Sequence, residues 1–130
     1  MSSENIGGRK AVKSFEAQDK MKKEIPQNIK PILEEVKKIL KKIYGEKLKG
    51  VILYGSYARG DATEESDIDL IVILKDMSDQ VSELEKCSKE IHQLDFLYDT
   101  LISIIPFKEE EFRTRRSPII LNAKREGIEI

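Results

Sequence analysis

The chain has 130 residues, about right for one domain, and its 39% hydrophobic and 36% charged residues make a globular balance rich in charge. The longest near-apolar run, Leu70 to Leu74, has the length of a strand and not of a bilayer span, and the start MSSENIGGRKAVKSFEAQDK lacks the apolar core of a secretory signal, so a cytoplasmic location without a membrane partner is expected. One cysteine, Cys87, and one histidine, His92, exclude an internal disulfide and a Cys- or His-based metal cluster, so any metal must be held by carboxylates. The net charge is -1, but residues 1–50 carry 13 basic and 7 acidic side chains, whereas residues 51–99 carry 4 and 12. A basic front and an acidic middle argue against a uniformly basic nucleic-acid surface.

Residues 1–25 mix Gly7, Gly8 and many charges with scattered apolar side chains, and read as a flexible N-terminal extension with a short helix possible over 11–23. The domain proper is expected over 26–130. Ile29, Ile32, Leu33, Val36, Ile39, Leu40 and Ile43 recur every three or four residues, with Pro31 in the first turn and Gly45 as the stop, which predicts an amphipathic helix. Leu48 to Tyr54 reads as a short buried strand that runs directly into Gly55-Ser56. YARGDATEES has helix-start and loop character.

Asp67 to Leu74 is the clearest strand. With period two, Asp67, Asp69, Ile71 and Ile73 share one face, so two carboxylates project side by side from its beginning. Val81, Leu84, Cys87 or Ser88, Ile91 and Leu94 describe a second amphipathic helix, which accounts for Cys87 and His92 without a chemical role. Leu97 to Ile105 reads as a third strand closed by Pro106, with Asp99 on the face shared by Leu97, Leu101, Ser103 and Ile105. Asp95, four residues earlier, is the alternative third carboxylate, but it lies at the end of the helical pattern, where an exposed cap is the plainer reading. One or two short helices complete the chain, the second capped by Ser117, begun by Pro118 and ended by Gly127.

Three carboxylates beside a Gly-Ser turn form a kit for phosphoryl or nucleotidyl transfer. Magnesium prefers oxygen ligands and takes one or two carboxylates together with phosphates and water. Asp67 and Asp69 can supply them, and Asp99 would complete the site or take the proton of the attacking hydroxyl. Gly55 lets the backbone approach a triphosphate, Ser56 offers a hydroxyl and an amide, and Arg59 is placed to balance phosphate charge or to form a surface ion pair with Asp61 or Glu64.

Gly55-Ser56, ten intervening residues and Asp67-x-Asp69, written GSYARGDATEESDIDL, resemble the signature of the DNA polymerase β-like nucleotidyltransferase superfamily. LYDTLISIIPFKEEEF and RRSPIILNAKREGIEI are similar to the tail of its small stand-alone minimal nucleotidyltransferases, so the resemblance covers roughly residues 30–130. It implies an α+β fold with a mixed sheet and helices packed on one side, catalytic and metal-binding carboxylates at Asp67, Asp69 and Asp99, and a two-ion magnesium site with ATP as substrate. Members of that branch are often partners of HEPN-domain toxins, and some transfer AMP onto a tyrosine of the toxin. The expected function is therefore transfer of AMP to a hydroxyl of a protein partner. The alternatives are a binding module that neutralises a toxin by occlusion, or a transferase for RNA ends or small hydroxylated molecules; a separate domain to hold such an acceptor and a nucleic-acid partner are not expected.

Overall fold

The computed structural model describes residues 25–130; the N-terminal extension and the helix expected within it lie outside the described residues. A 3-10 turn, Gln27–Ile29, leads into α1, Lys30–Tyr44, which ends at Gly45 in the left-handed half of backbone space (φ 56°). β1 is Leu48–Tyr54, α2 the single turn Ser56–Arg59, and β2 Ile68–Leu74. Then come α3, Gln80–Tyr98, and β3, Ile102–Lys108. Two short helices, α4, Glu109–Thr114, and α5, Pro118–Glu126, precede a two-residue strand, β4, Ile128–Glu129. Among the described residues no helix is long and apolar enough to cross a membrane.

The four strands form one mixed sheet in the order β3-β2-β1-β4. β1 is antiparallel to β2 and to β4, whereas β2 and β3 are parallel, because α3 carries the chain back to the starting end of the sheet. The C-terminal end of β1 and the N-terminal ends of β2 and β3 therefore lie together at one end of the sheet.

Period two sorts the strand side chains onto two faces. Val51, Leu53, Leu70, Val72, Leu74 and Ile104 pack against Leu33, Val36 and Leu40 of α1 and against Cys87, Ile91 and Leu94 of α3. The other face bears Ile52, Ile71 and Phe107 against Ile120 and Ala123 of α5, with Phe112 of α4 alongside. The α+β class and the mixed sheet are as expected, but the helices are not confined to one side: α1 and α3 build the main layer, and α4 and α5 cover part of the second face. Gly127 is needed for that packing, since a Cβ there would meet the Ala123 carbonyl oxygen and Ile52 Cγ2.

The third strand departs from expectation. The chain stays helical through Phe96, Leu97 and Tyr98, Asp99 closes α3 with φ 51° and ψ 53°, and pairing starts only at Ile102 and includes Pro106. The alternation in LYDTLISII hid the last helical turn. Pro106 is tolerated inside a strand because β3 is an edge of the sheet, where a missing N–H breaks no ladder bond. Its carbonyl accepts a hydrogen bond from Gln80 Nε2 at 2.8 Å, which covers the edge from the start of α3. Ser117 occupies the expected cap position of α5, yet its hydroxyl makes no cap bond and is buried with no hydrogen-bond partner among the described residues.

One polar cluster fastens α1 to α3. Tyr44 Oη donates to Glu83 Oε1 at 2.8 Å and lies 2.9 Å from Cys87 Sγ, and Lys86 Nζ sits 5.6 Å from the centre of the Tyr44 ring. Burial, reinforced by the bonds to Cys87 and Glu83, pushes the Tyr44 phenol well above its ordinary value, and burial also raises the Cys87 thiol. Both stay protonated, so the phenol remains a donor to the buried Glu83. Tyr44→Phe removes that donor and should lower stability by about 1–2 kcal/mol, read as an earlier urea midpoint at unchanged slope.

Candidate active site

β1 ends at Tyr54 directly opposite Asp69 of β2, and the parallel register sets Ser103 of β3 on the other side of Asp69. Asp69 continues the series Ile71 and Ile73 on the second face of the sheet, beyond the residues that α5 covers. Asp67 stands one residue before β2 and is exposed, whereas Asp69 is half-buried. The turn to α2 begins immediately after Tyr54.

That turn defines the geometry. Gly55 adopts φ 77° and ψ -155°, a conformation that costs an L side chain dearly. Its Cα lies against the Asp69 carboxylate, so that a Cβ at position 55 would run into Asp69 Oδ2. Glycine is required twice over, by its backbone angles and by the closeness of the acid. Ser56 opens α2, and the first amides of a helix have no partner within it, which leaves them directed at whatever lies beyond the turn. Gly60, at φ 90°, ends α2 with nothing within 4 Å of where its Cβ would be.

The electrostatics favour a cation. Burial first, and the charge of Asp67 second, raise the Asp69 carboxyl above its usual value, and Arg59 pulls it partly back. The Tyr54 phenol is pushed up to about 12, by burial and then by Asp69. A carboxylate whose ionisation is disfavoured by burial and by a neighbouring negative charge is relieved by a bound divalent ion. The oxygen donors and the space that glycine leaves beside Asp69 suit magnesium. Among the described residues no three His, Cys, Asp or Glu side chains are gathered into a group that could hold a metal, so the remaining ligands would be phosphate and water.

Arg59 is engaged on both sides. Its Nη1 donates to Glu126 Oε1 at 3.1 Å and its Nε to Asp61 Oδ2 at 3.4 Å, so it ties α2 to the end of α5 while biasing Asp69. The partner Asp61 was legible in the sequence and Glu126 was not, since the two residues meet only through the fold. Arg59→Ala should let the Asp69 pKa climb. Because the carboxyl must be ionised to hold a cation, the acid limb of magnesium-dependent nucleotide binding should then move to higher pH, as measured by calorimetric titration at several pH values.

Asp99 does not occupy the strand position expected of it. It is an exposed helix terminus, separated from β3 by Thr100 and Leu101, and it is not gathered with Asp67 and Asp69 into a metal-holding group. It nonetheless lies at the same end of the sheet, since the amide of Ile68 donates to the carbonyl of Leu101 at 2.8 Å. Asp95 is committed locally: its Oδ1 accepts from the Ile102 amide at 3.1 Å and its Oδ2 lies 2.7 Å from His92 Nδ1. Tyr57 is buried in the main core, a packing residue as expected. Tyr54 and Ser103 flank Asp69 unforeseen, because only the register brings them there.

A strand leading into a Gly-Ser turn, closed against an Asp-x-Asp strand of a mixed sheet, defines a nucleotidyl-transfer fold. The comparisons agree: residues 33–126 match the nucleotidyltransferase domain, and the chain belongs to that family. It is 38% identical over 99 residues, 76% of its length and 95% of the other's, to MJ0141 of Methanocaldococcus jannaschii. It is 39% identical over 88 residues to MJ0604 of the same organism, covering 68% of this chain and 82% of that one. Both relatives carry the name "Putative protein adenylyltransferase". Among solved structures, a toxin–antitoxin with AMP-PNP superposes with a TM-score of 0.53 at 21% identity, over 74% of this chain and 70% of that one. A mutant of the toxin–antitoxin MntA–HpeT superposes with the same score at 18% identity, over 74% and 69% of the two chains. The nearness of these structures establishes the shared fold.

Proposed function

We propose that the chain transfers AMP from magnesium-bound ATP to a hydroxyl of a partner protein. The observation that carries this reading is the seating of the Asp69 carboxylate against the Cα of Gly55, which puts a metal-binding acid and a phosphate-accommodating turn in contact. Asp67 and Asp69 would hold the magnesium. Bound there, magnesium supplies charge neutralisation of the triphosphate and acidifies the attacking hydroxyl. Ser56, through its amide and Oγ, and the cation of Arg59 would orient the phosphates so that the acceptor oxygen lies in line with the bond to be cleaved. The oxygen forms a bond to the α-phosphorus, the bond from that phosphorus to the bridging oxygen breaks, pyrophosphate leaves, and the hydroxyl proton passes to solvent or a nearby carboxylate.

A protein acceptor is supported by the names of the relatives, and by fold neighbours that are toxin–antitoxin complexes. A HEPN-type toxin, implied by the sequence resemblance, is the first acceptor to try. Thermal unfolding of the whole chain with ATP, magnesium, both or neither tests the site without an acceptor. Both together, at about 100 times the dissociation constant, should raise the midpoint by about 8–12 °C, and either alone by far less. No shift would favour the occlusion reading. Asp99→Asn should keep the shift, since the ligand pair is intact; its loss would return Asp99 to the metal site.

A further inference from the structure

The last turn of α3 presents a run of large apolar side chains to solvent. Phe96 is 94% exposed and Leu97 72%, and Leu101, just beyond the helix, is 47% exposed. Isolated exposed hydrophobics are ordinary, but adjacent bulky ones on a small domain mark a contact surface. These residues are not part of the core: α3 buries Cys87, Ile91 and Leu94 instead. The patch stands at the reactive end of the sheet, because the Leu101 carbonyl takes the amide of Ile68, the residue between Asp67 and Asp69. Exposed acids, Asp99 beside it and Glu64, Glu65 and Asp67 on the loop that enters β2, rim that end.

From this we infer that Phe96, Leu97 and Leu101 form the platform on which the acceptor protein docks, through a segment whose apolar side chains are flanked by lysine or arginine and which bears the hydroxyl to be modified. The inference rests on the protein-acceptor reading above and adds the surface that selects the acceptor. Position and charge argue for this occupant. Leu101 directly precedes Ile102, the register partner of Ile68, so a segment that reaches Leu101 from the end of α3 crosses the end of the sheet toward the carboxylates, and the acidic rim complements basic flanks and repels acidic ones. The platform works by proximity, bringing the acceptor hydroxyl up to the α-phosphorus.

The test uses the full chain, its Phe96→Ser/Leu97→Ser double variant and Asp69→Asn, each incubated with α-labelled ATP, magnesium and soluble extract of the source organism. The native chain should label a protein. The double variant should keep the thermal shift with ATP and magnesium yet label that protein at least about tenfold more slowly, whereas Asp69→Asn should lose both. Equal labelling by the double variant overturns the platform and leaves the proposed function standing. Absence of any labelled protein with the native chain overturns the protein-acceptor reading and the platform with it. Sedimentation of the native chain and the double variant adds a further arm: a native dimer that the double variant converts to monomer assigns the patch to a second copy and overturns the inference.

Discussion

Replacing Asp69 by asparagine should cut transfer by about two to three orders of magnitude while making the ligand-free protein more stable. The loss follows from removal of a metal-binding oxygen at the point where charge develops; at about 3–4 kcal/mol of transition-state stabilisation, it amounts to roughly 10²–10³-fold in rate. The gain follows from linkage. The Asp69 carboxyl titrates above its ordinary value in the fold, because of burial and then the Asp67 charge. A group shifted this way contributes its full stability below the unfolded pKa and loses it as pH rises through the folded one, so at neutral pH the ionised carboxyl weighs against folding. Asparagine keeps the shape and omits the charge. Its melting midpoint without ligand should therefore exceed that of the native chain at pH 7, and the difference should close as the pH falls into the carboxylate range. A lower midpoint at pH 7 would contradict this account.

Gly55→Ala should be the second severe change, and Gly60→Ala its control. Both glycines have positive φ, so both substitutions carry a backbone cost of about 1–2 kcal/mol. Only at position 55 does the new methyl meet something, the Asp69 carboxylate, whereas position 60 faces open space. Gly55→Ala should lose more stability in urea than Gly60→Ala, and transfer should fall about 100-fold or more in Gly55→Ala and by little in Gly60→Ala, since displacing a metal-holding oxygen by about 1 Å is enough to cost that factor. Equal activities would mean that the turn does not set the position of the acid.

Much of this was legible in the chain itself, and the limits have physical causes. The spacing from Ile32 to Leu40 gave α1 because an amphipathic helix writes its period into the sequence. Asp67 and Asp69 could be paired because they are two residues apart on one strand. Leu97 and Tyr98 read as the start of a strand although they close the helix, because apolar residues followed by alternation look alike in a helical turn and in a strand. The true end of α3 is written in the backbone of Asp99, in a conformation that sequence does not announce for aspartate. The partners of Asp69, namely Tyr54 and Ser103, and the grip of Glu126 on Arg59 depend on register and on distant contact, which no local pattern encodes. The cover that α4 and α5 place on the second face was missed for the same reason.

The edges of the sheet carry a consequence for how the molecule can associate. At one edge β3 contains Pro106, which offers no N–H, and the carbonyl of that proline is already taken by Gln80. At the other, β4 is only two residues long. Among the described residues, neither border offers a long uninterrupted row of open main-chain groups on which a foreign strand grows. The described sheet therefore resists extension by backbone pairing at both edges, which leaves side chains to carry contacts with other chains.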